Sequence, residues 1–94
     1  MHVLINIPGP LREFASKQSS IRVEVRSDAM VVDALHAMFA AYPGLRDRVL
    51  MESGETRRHV NIFVGNEDVR YTGGLRTAIS DGSEISIVPA ISGG

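Results

Sequence analysis

The 94-residue sequence contains no cysteine. That removes three classes of chemistry at once: a disulfide framework, a thiolate metal site and a cysteine nucleophile. A cysteine-free chain suits a reducing cytoplasm, which is the expected compartment. There is no excess of either charge: ten Lys and Arg face eleven Asp and Glu, for a net charge of −1. Nucleic acid and anionic membrane surfaces are therefore not expected as main partners. No apolar run approaches the ~20 residues of a membrane span, and the N-terminus lacks the charged and apolar regions of a signal peptide. The sequence shows no internal repeat, low-complexity tract or linker. At this length it should form one domain, with a core large enough to fold without staples.

The hydrophobic pattern changes period along the chain. Val3, Ile5 and Ile7 alternate with His2, Leu4 and Asn6, the period of two that marks a strand. Pro8-Gly9-Pro10 ends it, and a loop holding Leu11 and Phe14 follows. Ile21, Val23 and Val25 alternate with Arg22, Glu24 and Arg26 in a second strand with a wet face, so the pair reads as a hairpin. Val31, Leu35, Met38 and Tyr42 then form one stripe of an amphipathic helix. Ser27 or Asp28 is placed to cap its start, and Pro43-Gly44 ends it. Residues 45–58 read as a short second helix, with Leu45, Val49 and Leu50, running into an exposed polar loop. Val60, Ile62 and Val64 mark a third strand, a short strand is expected around Asp68–Arg70, and Ile85 and Ile87 mark the last. The order is strand, strand, helix, strand, short strand, strand. The expected fold class is α+β: a β-grasp, or ubiquitin-like, mixed sheet of four to five strands with one main helix on one face. The first and last strands should lie side by side at its centre.

The chain ends in Ile91-Ser92-Gly93-Gly94. Two residues without Cβ give the terminus a minimal cross-section and freedom to take whatever φ and ψ a narrow channel imposes. The carboxylate at its tip can be activated as an acyl group. A chance pair of glycines, at odds of about 1 in 200, or an expression scar are the alternatives. The expected organisation is a β-grasp body over residues 1–89 and a flexible tail over residues 90–94.

Val60-Asn61-Ile62-Phe63-Val64-Gly65-Asn66-Glu67-Asp68-Val69-Arg70, then Gly73-Gly74-Leu75, Asp81-Gly82 and Val88-Pro89-Ala90-Ile91-Ser92-Gly93-Gly94, resemble the MoaD/ThiS family of ubiquitin-like sulfur carriers. The resemblance covers the whole chain, and the stretch from Arg58 to Gly74 is closest to the CysO type. It implies a carrier and substrate, not an enzyme. An adenylating enzyme related to the ubiquitin-activating enzymes would use ATP to couple Gly94 to AMP. A sulfur donor would then leave a thiocarboxylate there, the only covalent group involved; no intrinsic cofactor is expected. Ile91, Ser92 and Gly93 would thread into the partner, although Ile91 could instead pack on its own sheet. The acceptor would be a cysteine synthase-like enzyme, followed by a JAMM-type metallopeptidase that clips off the product. A molybdopterin synthase large subunit, a specialised thio-metabolite pathway, conjugation to lysine as a modifier, and a plain β-grasp binding module are the competing readings.

Leu4, Phe63 and Val88 should lie on the outer face of the sheet, where an apolar cluster would mark a docking patch for the enzymes, unless residues 45–58 fold over it. His2, His36 and His59 lack metal-site spacing, and no metal is expected. Asp81-Gly82 and Gly73-Gly74 read as turns. Asp47, Glu52, Glu55, Arg57 and Arg58 read as a solvated loop or a partner contact, and Glu67-Asp68 has no base, nucleophile or pocket around it. No phosphate loop, catalytic triad or zinc signature is present.

Overall fold

A computed structural model of the chain describes residues 1–89. Its five strands are β1 (His2–Asn6), β2 (Ser20–Glu24), β3 (Val60–Val64), β4 (Glu67–Asp68) and β5 (Glu84–Pro89). They form one mixed sheet in the order β2-β1-β5-β3-β4, the expected β-grasp layout. β1 and β5 run parallel at its centre, with Ile5 opposite Ile85 and Asn6 opposite Ser86. β2 flanks β1 and β3 flanks β5, both antiparallel. α1 (Val31–Ala41) crosses one face, and α2 (Arg46–Val49) is a single turn.

Strand alternation sorts the sheet into a dry and a wet face. Val3, Ile5, Ile21, Val23, Val60, Ile62, Ile85 and Ile87 are all buried and meet Val31, Ala34, Leu35, Met38 and Phe39 of α1. Leu45, Val49 and Leu50 complete the same cluster. The predicted helical stripe is thus correct, widened by Ala34 and Phe39, while Tyr42 stays half-buried at the C-cap.

Three local expectations change. Ser27 and Asp28 do not cap α1. The helix starts at Val31, and the Asp33 carboxylate accepts the Met30 N–H at 2.8 Å while the Val31 N–H donates to the Thr77 carbonyl. The cap comes from inside the first turn because Met30 bridges to Ala78 and holds the preceding chain extended. Leu11 and Phe14 lie in a 3-10 segment, Gly9–Ala15, not an open loop. The short edge strand is confined to Glu67–Asp68, because the Asp68 carboxylate accepts the Arg70 N–H and winds Val69–Tyr71 into a 3-10 turn.

The central pairing is stitched by the turn before β5. The His2 N–H donates to the Asp81 carboxylate at 2.9 Å, the Gly82 N–H to the His2 carbonyl at 2.7 Å, and the Leu4 N–H to the Ser83 carbonyl at 3.0 Å. Gly82 occupies φ 83°, a conformation that side-chain-bearing residues rarely adopt. Among the described residues no helix is long and apolar enough to cross a membrane.

Two stability effects should follow. Ile85→Ala, at a site with no exposed surface, should cost about 2–5 kcal/mol in denaturant unfolding. Asp81→Ala should cost about 1 kcal/mol, because it removes one exposed hydrogen bond at the head of β1.

Candidate functional site

The site is built on the wet face of the sheet and the pole where β5 ends. Leu4, Phe63 and Val88 all point away from α1, as strand parity requires. Leu4 and Phe63 are half-buried by their neighbours, and Val88 is 38% exposed. Residues 45–58 do not cover them, because Leu45, Val49 and Leu50 anchor that stretch in the core on the helix side and Leu50 bridges to Thr56.

The three do not make one continuous apolar patch. Phe63 stands opposite Ser86 and Val88 opposite Asn61, so Phe63 and Val88 are diagonal neighbours roughly 7 Å apart. Leu4 stands opposite Glu84, on the far side of β5. Between them runs a polar ladder in which the Asn6 side-chain amide donates to Glu84 at 2.8 Å and to the Ser86 hydroxyl at 3.0 Å. On the β4 side the Arg70 guanidinium donates to the Asn61 side-chain oxygen and lies 3.9 Å from Asp68. The wet face is thus an apolar pair beside β3, a polar strip along β5, and Leu4 beyond it. The sequence reading passed over Tyr71, which is 81% exposed and joins Val88 as the exposed large apolar side chains among the described residues. Its place just after a two-residue edge strand is a tertiary fact without a local sequence signal.

At the pole, Pro89 ends β5 opposite Val60. A groove of about 690 Å³ opens beside it, between the Gly9–Ala15 segment and α2, with Phe14, Arg48, Arg57 and Pro89 in its wall. The Arg48 guanidinium lies 4.4 Å over the Phe14 ring, and Arg57 donates to the Asp47 carbonyl, which ties this part of the expected solvated loop to α2. Ile91, Ser92, Gly93 and Gly94 lie outside the described residues. Gly73 and Gly74 form a turn with φ 133° and 61° and are internal, as read from sequence. Among the described residues no group of three His, Asp or Glu side chains gathers as a metal site, and no buried side-chain polar atom lacks a partner.

This architecture, a small β-grasp body with its last strand at the sheet centre, defines a ubiquitin-like protein. A model of the ThiS family matches residues 5–94. The chain belongs to the ThiS family, whose members are small ubiquitin-like sulfur carriers rather than catalysts. It is 40% identical over 96 residues to the sulfur carrier protein CysO of Mycobacterium tuberculosis, covering the whole of both chains. It is 40% identical over 77 residues to small archaeal modifier protein 3 of Haloferax volcanii, covering 82% of this chain and 83% of that one. Among solved structures it is similar to a chain of the Amycolatopsis orientalis BexX/CysO complex, with a TM-score of 0.86 and 30% identity over 98% of this chain and 99% of that chain.

The parity of the sheet makes a direct prediction. Val88→Asp should change unfolding free energy by no more than about 0.5 kcal/mol, as surface substitutions do. Its neighbour Ile87→Asp, which places a charge in the core, should abolish the cooperative unfolding transition.

Proposed function

We propose that this chain carries sulfur as a thiocarboxylate on Gly94 and delivers it in biosynthesis, foremost of cysteine. The observation that carries the reading is the end-to-end match to a sulfur carrier, CysO. The fold supports it. β5 lies between β1 and β3 over Glu84–Ser86 and stays paired to β3 as far as Pro89, and the five residues beyond it span at most ~17 Å when extended. A rigid body can therefore stay outside a partner while Ile91, Ser92 and Gly93 thread inward and set Gly94 at a buried centre.

The chemistry sets the order of events. A carboxylate is a poor acylating agent, because its leaving group would be oxide. An adenylating enzyme related to the ubiquitin-activating enzymes joins the Gly94 carboxylate to AMP from ATP, with release of pyrophosphate. A sulfur nucleophile then attacks the acyl carbon. The carbon–sulfur bond forms, the bond to the phosphate oxygen breaks, and AMP leaves with its electron pair. The pocket that holds the anhydride must exclude water. This chain supplies no cofactor; ATP belongs to the activating enzyme.

Phe63 and Val88, with Leu4 across the polar strip, are the proposed docking surface for that enzyme. The acceptor is a cysteine synthase-like protein, with a JAMM-type metallopeptidase releasing the product, and the cytoplasm is the proposed compartment. A molybdopterin synthase large subunit would use the same tip. The second reading, conjugation through Gly94 to lysine, is favoured by the similarity to small archaeal modifier protein 3. It shares the activated intermediate and differs only in the final nucleophile.

Intact mass of the protein purified from its own host tests the reading. The expected result is a terminus at Gly94 and a fraction heavier by one oxygen-to-sulfur exchange. Branched peptides joining Gly94 to lysines, with no thiocarboxylate, would support the modifier instead. For the docking surface, Val88→Asp should lower kcat/KM for adenylation at least about tenfold, equivalent to ~1.4 kcal/mol. Unchanged kinetics would remove Val88 from it.

A further inference from the structure

The sheet has two edges, β4 and β2. The β4 edge is closed early: the strand is two residues long, and the Asp68 carboxylate accepts the next N–H, that of Arg70, into a 3-10 turn. The β2 edge is a full strand, Ser20–Glu24, paired one-to-one with β1. Short strands, bulges, proline and lysine commonly guard an exposed edge, and β2 has none of them. Charge is the remaining guard, and here it comes with opposite signs, on Arg22 and Glu24.

The backbone hydrogen bonds show which groups face outward. The Val25 N–H donates to the Met1 carbonyl at 2.9 Å and the Ile7 N–H to the Ser19 carbonyl at 2.8 Å, so the odd-numbered residues of this stretch bond to β1. In an antiparallel ladder the intervening residues aim their groups the other way. The N–H and C=O of Arg22 and Glu24 therefore face away from β1, and among the described residues no partner meets them. Both side chains are exposed on the outward face, opposite Leu4 and His2. Arg22 forms no ion pair among the described residues, and Glu24 reaches only His2, at 4.0 Å.

A second copy of the chain fits this edge in one register. Two β2 strands related by a two-fold axis through Val23 set Arg22 opposite Glu24 of the other copy, and Glu24 opposite its Arg22. Both pairs exchange main-chain hydrogen bonds, and each holds opposite charges with Cβ atoms about 5 Å apart. On the core face Val23 meets Val23 and Ile21 meets Val25, apolar against apolar. An axis through Arg22 would set Arg22 against itself. One through Glu24 would set Glu24 against itself and Arg22 against Arg26, and like charges directly opposite are destabilising. An axis between residues would set an outward-facing residue against an inward-facing one, and no ladder could form.

We propose that β2 is a self-association edge, through which two copies of this chain join their sheets antiparallel in the register centred on Val23. The contact is isologous, with the same strand on both sides. The joined sheet has ten strands, with both α1 helices on the same face. One strand pair buries less than the roughly 1,200 Å² at which standard interfaces begin, so the dimer forms at high concentration and dissociates on dilution.

Sedimentation equilibrium of the full chain, up to about 1 mM, should show a reversible monomer–dimer equilibrium. Arg22→Glu and Glu24→Arg should each raise the dissociation constant at least about tenfold, and the double variant should recover it to within about threefold. All three should keep the melting temperature, because both sites are exposed. A monomer at every concentration would overturn the proposal. So would a dimer indifferent to the single variants, or a double variant that melts normally and stays monomeric. The register has a separate readout, because the chain has no cysteine. Oxidising an equal mixture of Arg22→Cys and Glu24→Cys chains should give mostly the mixed disulfide, across a pair whose Cα atoms stand about 5.5 Å apart. Disulfides formed mostly between like variants would contradict it.

Discussion

The parallel pairing of β1 with β5 is the constraint on which the rest of this molecule depends. Residues at the two ends of the sequence become neighbours at the centre of the sheet, and both strands are flanked on their other edges. Parallel strands cannot be joined by a tight turn, so everything between them must cross over. That crossover contains α1, which explains why the core is built from one sheet face and one helix. The turn at Asp81-Gly82 locks the register by bonding to both sides of His2. With β5 fixed in this way, the position of Pro89 opposite Val60 is fixed too.

The same pairing divides the sheet into a buried face packed on α1 and an outward face that carries little of the core. Ile5, Ile85 and Ile62 face α1 and have almost no exposed surface. Leu4, Ser86 and Phe63 face outward from neighbouring positions. Alternation at a period of two lets one side change while the other stays packed. The outward side mixes an apolar pair, Phe63 and Val88, with the Asn6–Glu84–Ser86 ladder.

Much of this was legible in the sequence because the patterns are local. Period two in Val3-Ile5-Ile7, Ile21-Val23-Val25 and Ile85-Ile87, and the stripe Val31-Leu35-Met38, each need only a few residues to be read. What escaped depended on distant partners. Asp33 caps α1 because the Met30–Ala78 bridge fixes where the helix can begin, which no reading of Ser27 and Asp28 could reveal. The Gly9–Ala15 segment winds into a 3-10 helix with buried Ala15, although two prolines and a glycine at its head suggested a loop. Parity placed Leu4, Phe63 and Val88 on the correct face, but their separation by Glu84 and Ser86 required the strand order and register. The tail residues Ile91 to Gly94 remain a reading of sequence chemistry.

In this account a folded body confers position and a short tip carries the chemistry. The body holds β5 at the centre of a sheet, and membership of the ThiS family places the chain among carriers. The most direct measurement is adenylation by the activating enzyme of a chain lacking Gly94 alone, read as ATP-dependent pyrophosphate release. The account predicts that the shortened chain keeps its fold and melting temperature while pyrophosphate release falls to background. Release at the rate of the full chain would contradict it, because the reacting carboxylate would then not need to be that of Gly94.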